Sequence, residues 1–166
     1  MRYKHWNYNY LKSKLKYAIR KRNYKSAPWL AFDAIDYLEE KLNKSQVVFE
    51  WGSGRSSIWF SSRVKSIISI EDNEHWFNDL NNKIKNSKIN NITLLFKKMD
   101  IEYENSIENF DNNTFDIIII DGNRRGLCFE KAFDKLKVGG SIVLDDAQRY
   151  LPSKSKSPNS FKTWEE

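Results

Sequence analysis

A short apolar run that breaks into a glycine-punctuated loop, Val47 to Ser57, constrains this chain more than any other stretch. The run has the β-branched and aromatic character of a strand, and Gly52 and Gly54 follow it with one residue between them. Glycine allows backbone conformations that are closed to other residues and lets a ligand lie directly against the main chain. Ser56 and Ser57 then suit the first turn of a helix. The order of strand, glycine loop and helix predicts a site that presents backbone N–H groups to a ligand.

Glu50 lies two positions before the first glycine of this loop. A carboxylate at that place would repel a pyrophosphate but would attract a cationic ligand group. Dinucleotide-binding loops also follow the pattern Gly-x-Gly-x-x-Gly, whose sixth position is Ser57 in this chain. Both observations disfavour a nicotinamide-dependent oxidoreductase, which stays open as an alternative.

The composition is that of one folded domain without a membrane span. A chain of 166 residues with 40% hydrophobic and 30% charged residues can bury a sizeable core, and its composition is not that of a disordered chain. The N-terminus lacks an apolar signal core, and the longest uninterrupted apolar run, Ile117 to Ile120, is too short to cross a bilayer. We therefore expect a cytoplasmic protein. The single cysteine, Cys128, cannot form an internal disulfide, and its place in a helical pattern favours burial.

Basic residues are concentrated near the N-terminus. Residues 1–25 contain nine Lys or Arg and no Asp or Glu, whereas the formal net charge of the whole chain is +6. Tyr and Trp residues interleave with these cations, a pattern that is also found in nucleic-acid-binding arms. Runs of like charge are more often solvated surfaces, and we favour a packing or capping arm over nucleic-acid binding. The sequence thus divides into this basic arm, a folded domain at 26–150 and a flexible tail at 151–166.

Apolar patterns along the folded domain alternate between the strand and the helix period. Short β-type runs predict five strands, at 47–49, 65–70, 92–96, 115–120 and 141–144. Helical spacing predicts helices that begin near residues 28, 57 and 75, and a fourth from Cys128 to Leu136 that Gly139-Gly140 is expected to end. The polar stretch 97–113 has no clear pattern. Alternating βα units indicate an α/β fold, a doubly wound, mostly parallel sheet with helices on both faces.

Besides Glu50, acidic residues follow the second, fourth and fifth predicted strands. Glu71 comes about twenty residues after the first glycine, the spacing at which nucleotide-binding folds place a carboxylate that accepts hydrogen bonds from ribose hydroxyls. It could instead be an acid at the start of the next helix. Asp121 follows the fourth strand, and Asp145-Asp146 follow the fifth. Because ligands of these folds bind at the carboxyl ends of the strands, these acids are expected to face one crevice.

Taken in order, Glu50-x-Gly52-x-Gly54, Glu71, Asp121-Gly122, Gly139-Gly140 and Asp145-Asp146 resemble the motifs of class I S-adenosylmethionine-dependent methyltransferases. The resemblance covers roughly residues 26 to 150 and implies a Rossmann-like sheet with strand order 3-2-1-4-5. The family usually has two further strands after the fifth, for which residues 151–166 show no pattern. The resemblance further implies a cofactor site whose members are Glu50, Gly52, Ser53, Gly54, Ser56, Glu71 and Asp121. Glu71 would hold the ribose and the others the methionine part.

The resemblance implies S-adenosylmethionine-dependent methyl transfer to a small-molecule acceptor, including one that reacts through a hydroxyl group. Asp121 and Asp145 would then be the acids available as a catalytic base. By similarity to the catechol-type methyltransferases, Asp121, Asp145 and Asp146 could together hold Mg²⁺, although acids at strand ends also serve as helix caps and ligand anchors. A catalytically silent protein that binds S-adenosylmethionine remains the main alternative.

Overall fold

A computed structural model of the protein describes residues 27–152 together with Leu15, Ala18 and Ile19. The predicted basic arm, 1–25, lies outside the described residues apart from those three positions. The predicted tail, 151–166, likewise lies outside them apart from its first two residues. None of the helices in the described part of the chain is long and apolar enough to cross a membrane.

The described residues form a five-stranded, all-parallel sheet in the order β3-β2-β1-β4-β5. Its strands are β1 (Val47–Trp51), β2 (Ser66–Glu71), β3 (Ile92–Phe96), β4 (Phe115–Ile120) and β5 (Leu136–Leu144). The α/β class and the strand order predicted from the sequence are therefore confirmed. The order reverses between β1 and β4, which creates the crevice at which folds of this kind bind ligands.

Helices cover both faces of the sheet. The described helices are α1 (Phe32–Lys41), α2 (Arg55–Ser61), α3 (Glu74–Asn86), α4 (Ile101–Glu104) and α5 (Arg125–Ala132). One apolar cluster joins α1 and α2 to the sheet through Leu38 and Phe60, and a second joins α4 and α5 to the opposite face through Tyr103 and Cys128. The sheet is thus buried between two layers, which explains the continuously apolar run of β4.

The stretch 97–113, which had no clear sequence pattern, contains α4 and a 3₁₀ helix, Asn105–Asn109. Its turns bring Tyr103 and Ile107 into the core, where both are fully buried. The indole N–H of Trp51 donates to the carbonyl oxygen of Tyr103 at 2.9 Å and to Ser106 Oγ at 3.0 Å. Tertiary contacts with the end of β1 therefore hold a segment whose own pattern is weak.

The region before β5 differs from the sequence prediction. The α-helix ends at Ala132, and Leu136 already belongs to β5, so that Gly139-Gly140 lie within the strand and do not end a helix. The pairing of β4 with β5 is irregular here, with a shift in register between Phe115 and Ile117. A Cβ on Gly140 would lie 2.8 Å from the carbonyl oxygen of Asp116, too close for any other residue. The glycines thus permit a bulge that the helix-ending interpretation missed.

Candidate functional site

A cleft of about 690 Å³ opens at the carboxyl ends of β1, β2 and β4. The strand ends supply Gly52–Ser56, Glu71–Asn73 and Asp121–Asn123 to its lining. Its outer wall contains two exposed indoles, Trp29 and Trp76. The volume is in the range of pockets that hold a small molecule. The structure therefore brings the predicted glycine loop, Glu71 and Asp121 together around one cavity.

The glycine loop forms the floor of the cleft. Gly52 has a φ of +89°, a conformation that side chains rarely adopt, and it packs directly against Gly122 after β4. Gly54 begins α2, and its N–H donates to Ser57 Oγ at 3.0 Å. Ser53 and Ser56 line the cleft as well. Every member of the loop that was predicted to bind a cofactor is thus present in the lining.

Glu71 ends β2 and is only 6% exposed. Its Oε2 accepts hydrogen bonds from the backbone N–H of Ser53 at 3.1 Å and from Ser53 Oγ at 2.8 Å. Its Oε1 accepts from the N–H of Asn73 at 3.0 Å. Asn73 is the N-cap of α3, and its side chain accepts from Trp76 N. Glu71 therefore contacts the start of α3 through the Asn73 N–H and also joins the end of β2 to the glycine loop.

Glu50 occupies a different position from the one its sequence suggested. Its side chain is completely buried beneath the start of α2 and does not belong to the cleft lining. Ser57 Oγ and Ser69 Oγ donate to its Oε2 at 2.5 and 2.7 Å, and its Oε1 has no hydrogen-bond partner among the described residues. Burial raises the pKa of this carboxyl above its ordinary value. Glu50 thus lies outside the lining and reaches the loop through Ser57, and its attraction of a cationic ligand group stays a prediction.

Asp121 follows β4 and lines the cleft. Its backbone N–H donates to the carbonyl oxygen of Trp51 at 2.9 Å, which extends the pairing of β1 with β4 by one residue. Burial, followed by the charge of Asp145, raises the pKa of Asp121 to about 7, although the Arg125 guanidinium opposes that shift. A carboxyl group with such a pKa can accept or release a proton near neutral pH.

Asp145 and Asp146 do not line the cleft. Asp145 Oδ2 accepts from Arg125 Nη1 at 3.0 Å, and Asp146 pairs with Arg149 at 3.1 Å. No group of three acidic, histidine or cysteine side chains arranged to hold a metal ion occurs in the described residues. The predicted Mg²⁺ site at Asp121, Asp145 and Asp146 is therefore not supported, because an arginine lies among these acids.

Arg125 binds two acids at the strand ends, a contact that the sequence did not indicate. Two arginines, Arg124 and Arg125, follow Asp121-Gly122 closely in the sequence, and their order alone does not show which one binds the acids. Arg124 pairs with Glu104 at 2.7 Å, away from the acids at the strand ends, whereas Arg125 binds both Asp121 and Asp145. No local period indicated this contact, because Asp121 and Arg125 are joined by a loop and α5 begins only at Arg125.

The outer wall of the cleft was also not anticipated. The Trp29 ring lies 5.6 Å from the Arg55 guanidinium, a cation–π contact at the start of α2. Asn123 Nδ2 donates to Asp72 Oδ2 at 2.8 Å and thereby links the ends of β4 and β2 across the glycine loop. Both contacts join segments that are distant in the sequence, so no local pattern could have indicated them.

No protein-family model and no curated protein sequence matches the chain. Its fold does match solved structures. An rRNA methylase from Streptococcus thermophilus matches with a TM-score of 0.56 and 18% identity, over 66% of this chain and 66% of that one. A SAM dependent methyltransferase from Aquifex aeolicus matches with a TM-score of 0.56 and 19% identity, over 80% and 74%. The SMU.1697c protein of Streptococcus mutans, solved in complex with SAH, matches with a TM-score of 0.54 and 15% identity, over 66% and 67%.

These matches show the fold, which is the Rossmann-like fold of S-adenosylmethionine-dependent methyltransferases. The chain spans about half to two thirds of the length of several matched proteins. At 15–20% identity, the activity of those proteins does not transfer to this chain by similarity alone.

Proposed function

We propose that this protein binds S-adenosylmethionine in the cleft and transfers its methyl group to a small-molecule acceptor. The observation that carries the proposal is the position of Glu71, a carboxylate at the end of β2 that is hydrogen-bonded to Ser53 of the glycine loop. This arrangement offers acceptors for ribose hydroxyls beside backbone donors for the rest of the ligand. The fold match to a protein solved with SAH supports the same ligand class.

The residues of the cleft fit the cofactor chemically. A ribose hydroxyl can take over the hydrogen bond that Ser53 Oγ now donates to Glu71, so the buried carboxylate would keep its partners. Asp121 at the other end of the loop suits the ammonium and sulfonium groups of the methionine part. The lining also contains the acids Asp72 and Asp79 and the cations Arg55, Lys83 and Arg125. The preference for a cofactor with a cationic centre therefore rests on Asp121, which lies beside the glycine loop, and not on the charge of the whole cleft.

Methyl transfer from a sulfonium is an in-line displacement at carbon. The methyl–sulfur bond breaks as the acceptor's bond to carbon forms, and the sulfur keeps the electron pair of the broken bond. Much of the acceleration comes from holding the two reactants close and aligned. A hydroxyl acceptor also has to lose a proton, and Asp121 lies in the cleft with a pKa raised to about 7. Of the two predicted bases, Asp121 is therefore better placed than Asp145, which lies outside the lining.

Two other functions remain as alternatives. A catalytically silent protein would bind the cofactor and lack transfer, and a nicotinamide-dependent oxidoreductase would prefer NAD. The basic arm stays a proposed packing element, with nucleic-acid binding as its alternative. Such binding would weaken steeply with salt in an anisotropy titration.

Calorimetric titration with S-adenosylmethionine, SAH and NAD tests the proposal. We expect both adenosyl ligands to bind and NAD to bind far more weakly. Mass spectrometry of the ligand that co-purifies with the protein would provide independent support. Preference for NAD, or no binding of either adenosyl ligand, would refute the proposed function. Tight binding with no transfer to any of a panel of hydroxyl, amine and thiol acceptors would favour the silent alternative.

A further inference from the structure

The guanidinium of Arg125 lies among the three acids that follow β4 and β5. Nε donates to the carbonyl oxygen of Gly122 at 2.8 Å. Nη1 donates to the carbonyl oxygen and to Oδ2 of Asp145, at 2.7 and 3.0 Å. Nη2 donates to the carbonyl oxygen and to Oδ1 of Asp121, at 2.8 and 3.0 Å. All five N–H groups of the side chain are thus used.

We propose that Arg125 is the built-in cation of this edge of the sheet, a positioning residue that takes the place of a divalent metal ion between Asp121 and Asp145 and that holds the Asp121 carboxylate at the cleft. Its side chain is 15% exposed, so the contacts are largely shielded from water. Arg125 also lines the cleft, but a guanidinium keeps its charge and is neither an acid nor a base there. Its proposed role is to hold Asp121 in place.

Geometry explains why an arginine serves here and a metal ion does not fit. A guanidinium is a planar fork that can bind carboxylates and carbonyl oxygens on two strand ends at once. Mg²⁺ would need six oxygen ligands at about 2.0–2.1 Å in octahedral arrangement. The oxygens of Asp121 and Asp145 instead lie 3.0 Å from two different nitrogens of one side chain. The carboxylates are therefore oriented toward the fork and not toward a shared ion.

The local charges indicate what removal of Arg125 would do. Asp146 Oδ2 lies 3.9 Å from Arg125 Nη1 and 3.1 Å from Arg149 Nη2, so Arg149 is its closer cation. Without Arg125, Asp121 and Asp145 would lose the cation that holds them together. Two neighbouring carboxylates without a counter-charge attract a divalent ion. The proposal thus predicts that Arg125→Met creates a metal site that the native protein lacks.

Titration with Mn²⁺ tests whether Arg125 takes the place of a metal ion, and it needs no assay of activity. Electron paramagnetic resonance measures the concentration of the free ion. We expect no saturable binding by the native protein below about 1 mM, the upper end of the range in which weak oxygen-ligand sites bind a divalent ion. We expect Arg125→Met to bind one ion and the double variant Arg125→Met with Asp145→Asn to lose it. The control is Arg149→Met, which removes a cation from Asp146 only. Two results would contradict the proposal that Arg125 takes the place of a metal ion. One is Mn²⁺ binding by the native protein that Asp145→Asn abolishes, and the other is no Mn²⁺ binding by Arg125→Met.

A second measurement tests whether Arg125 positions Asp121 for the ligand, and it rests on the proposed function. Arg125→Lys keeps the charge but has three donors on one nitrogen, which cannot reach both strand ends as the fork does. We expect its affinity for SAH to fall by about ten-fold, the effect of one lost charge-assisted hydrogen bond, and Arg149→Lys to retain native affinity. Native affinity in Arg125→Lys would overturn the positioning role. If the native protein itself does not bind SAH, the proposed function is wrong. The Mn²⁺ titration would still test whether Arg125 takes the place of a metal ion.

Discussion

Gly52 and Gly122 are in direct backbone contact where the loops after β1 and β4 meet. A Cβ on Gly52 would lie 2.5 Å from the amide nitrogen and 2.7 Å from the Cα of Gly122. A Cβ on Gly122 would in turn lie 2.9 Å from the Gly52 nitrogen and would clash with the hydroxyl of Tyr103. Neither position has room for a side chain, and the floor of the cleft depends on this contact.

Gly52→Ala should therefore destabilise the protein and abolish ligand binding. Both the φ of +89° and the clash with backbone atoms oppose the substitution. Strain and overpacking of this kind cost on the order of 2–4 kcal/mol together. Chemical denaturation measures the loss. The matched control is Gly54→Ala, because a Cβ on Gly54 meets no atom within 4 Å. Equal stability of the two variants would contradict the assigned contact.

Glu71→Gln should lower the affinities for S-adenosylmethionine and for SAH by similar factors, since both ligands carry the same ribose. An amide offers a weaker acceptor than a carboxylate to ribose hydroxyls, and the loss of charge-assisted hydrogen bonds corresponds to about ten- to a hundred-fold in dissociation constant. Paired calorimetric titrations measure both ligands. Because Ser53 and Asn73 also donate to Glu71, a modest drop in the melting temperature should accompany the loss. Unchanged affinity for both ligands would place the ribose elsewhere.

Glu50→Gln should stabilise the protein at neutral pH. Burial raises the pKa of Glu50 above its ordinary value of 4.5, so the folded state holds the proton more tightly than the unfolded state does. The contribution of this group to stability is complete below about pH 4.5 and is lost as the pH rises through the folded pKa. Glutamine removes that loss, so we expect a gain in stability at pH 7 that is absent or much smaller at pH 4.5. Denaturation curves at pH 4.5 and pH 7 measure it. A gain of the same size at both pH values would contradict the explanation.

Asp121 should titrate near neutral pH. Burial and the charge of Asp145 raise the pKa of Asp121 to about 7, from an ordinary value of 3.8. Its contribution to stability should accordingly decline as the pH rises from about 4 to about 7. Carbon-13 NMR of the side-chain carboxyl measures the midpoint, and Asp121→Asn assigns the signal. Asp145→Asn should lower the midpoint, because it removes the second cause of the shift. A midpoint near 4 in the native protein would refute the proposed base.

The elements with strong periodicity were predictable from the sequence. The five strands, their parallel arrangement and the helices near residues 57 and 75 follow from alternating apolar runs and glycine-containing turns, whereas the helix predicted to begin near residue 28 begins only at Phe32. Segments without a period were not predictable. The α4 region is held by hydrogen bonds to Trp51, and the start of β5 depends on a bulge at Gly140. Both of these depend on distant partners.

By itself, the sequence determined the sheet, the glycine loop and the strand ends on which Glu71 and Asp121 lie. The reason is that residues close together in the sequence determine the local backbone conformation and the pattern of burial. Only the tertiary structure decided what each acid does. Glu50 is buried because β2 and α2 close over it, and Asp145 binds Arg125 because β4 and β5 end side by side. The chemistry of a carboxylate depends on which charges and donors surround it in space, and those neighbours come from parts of the chain that no local pattern connects.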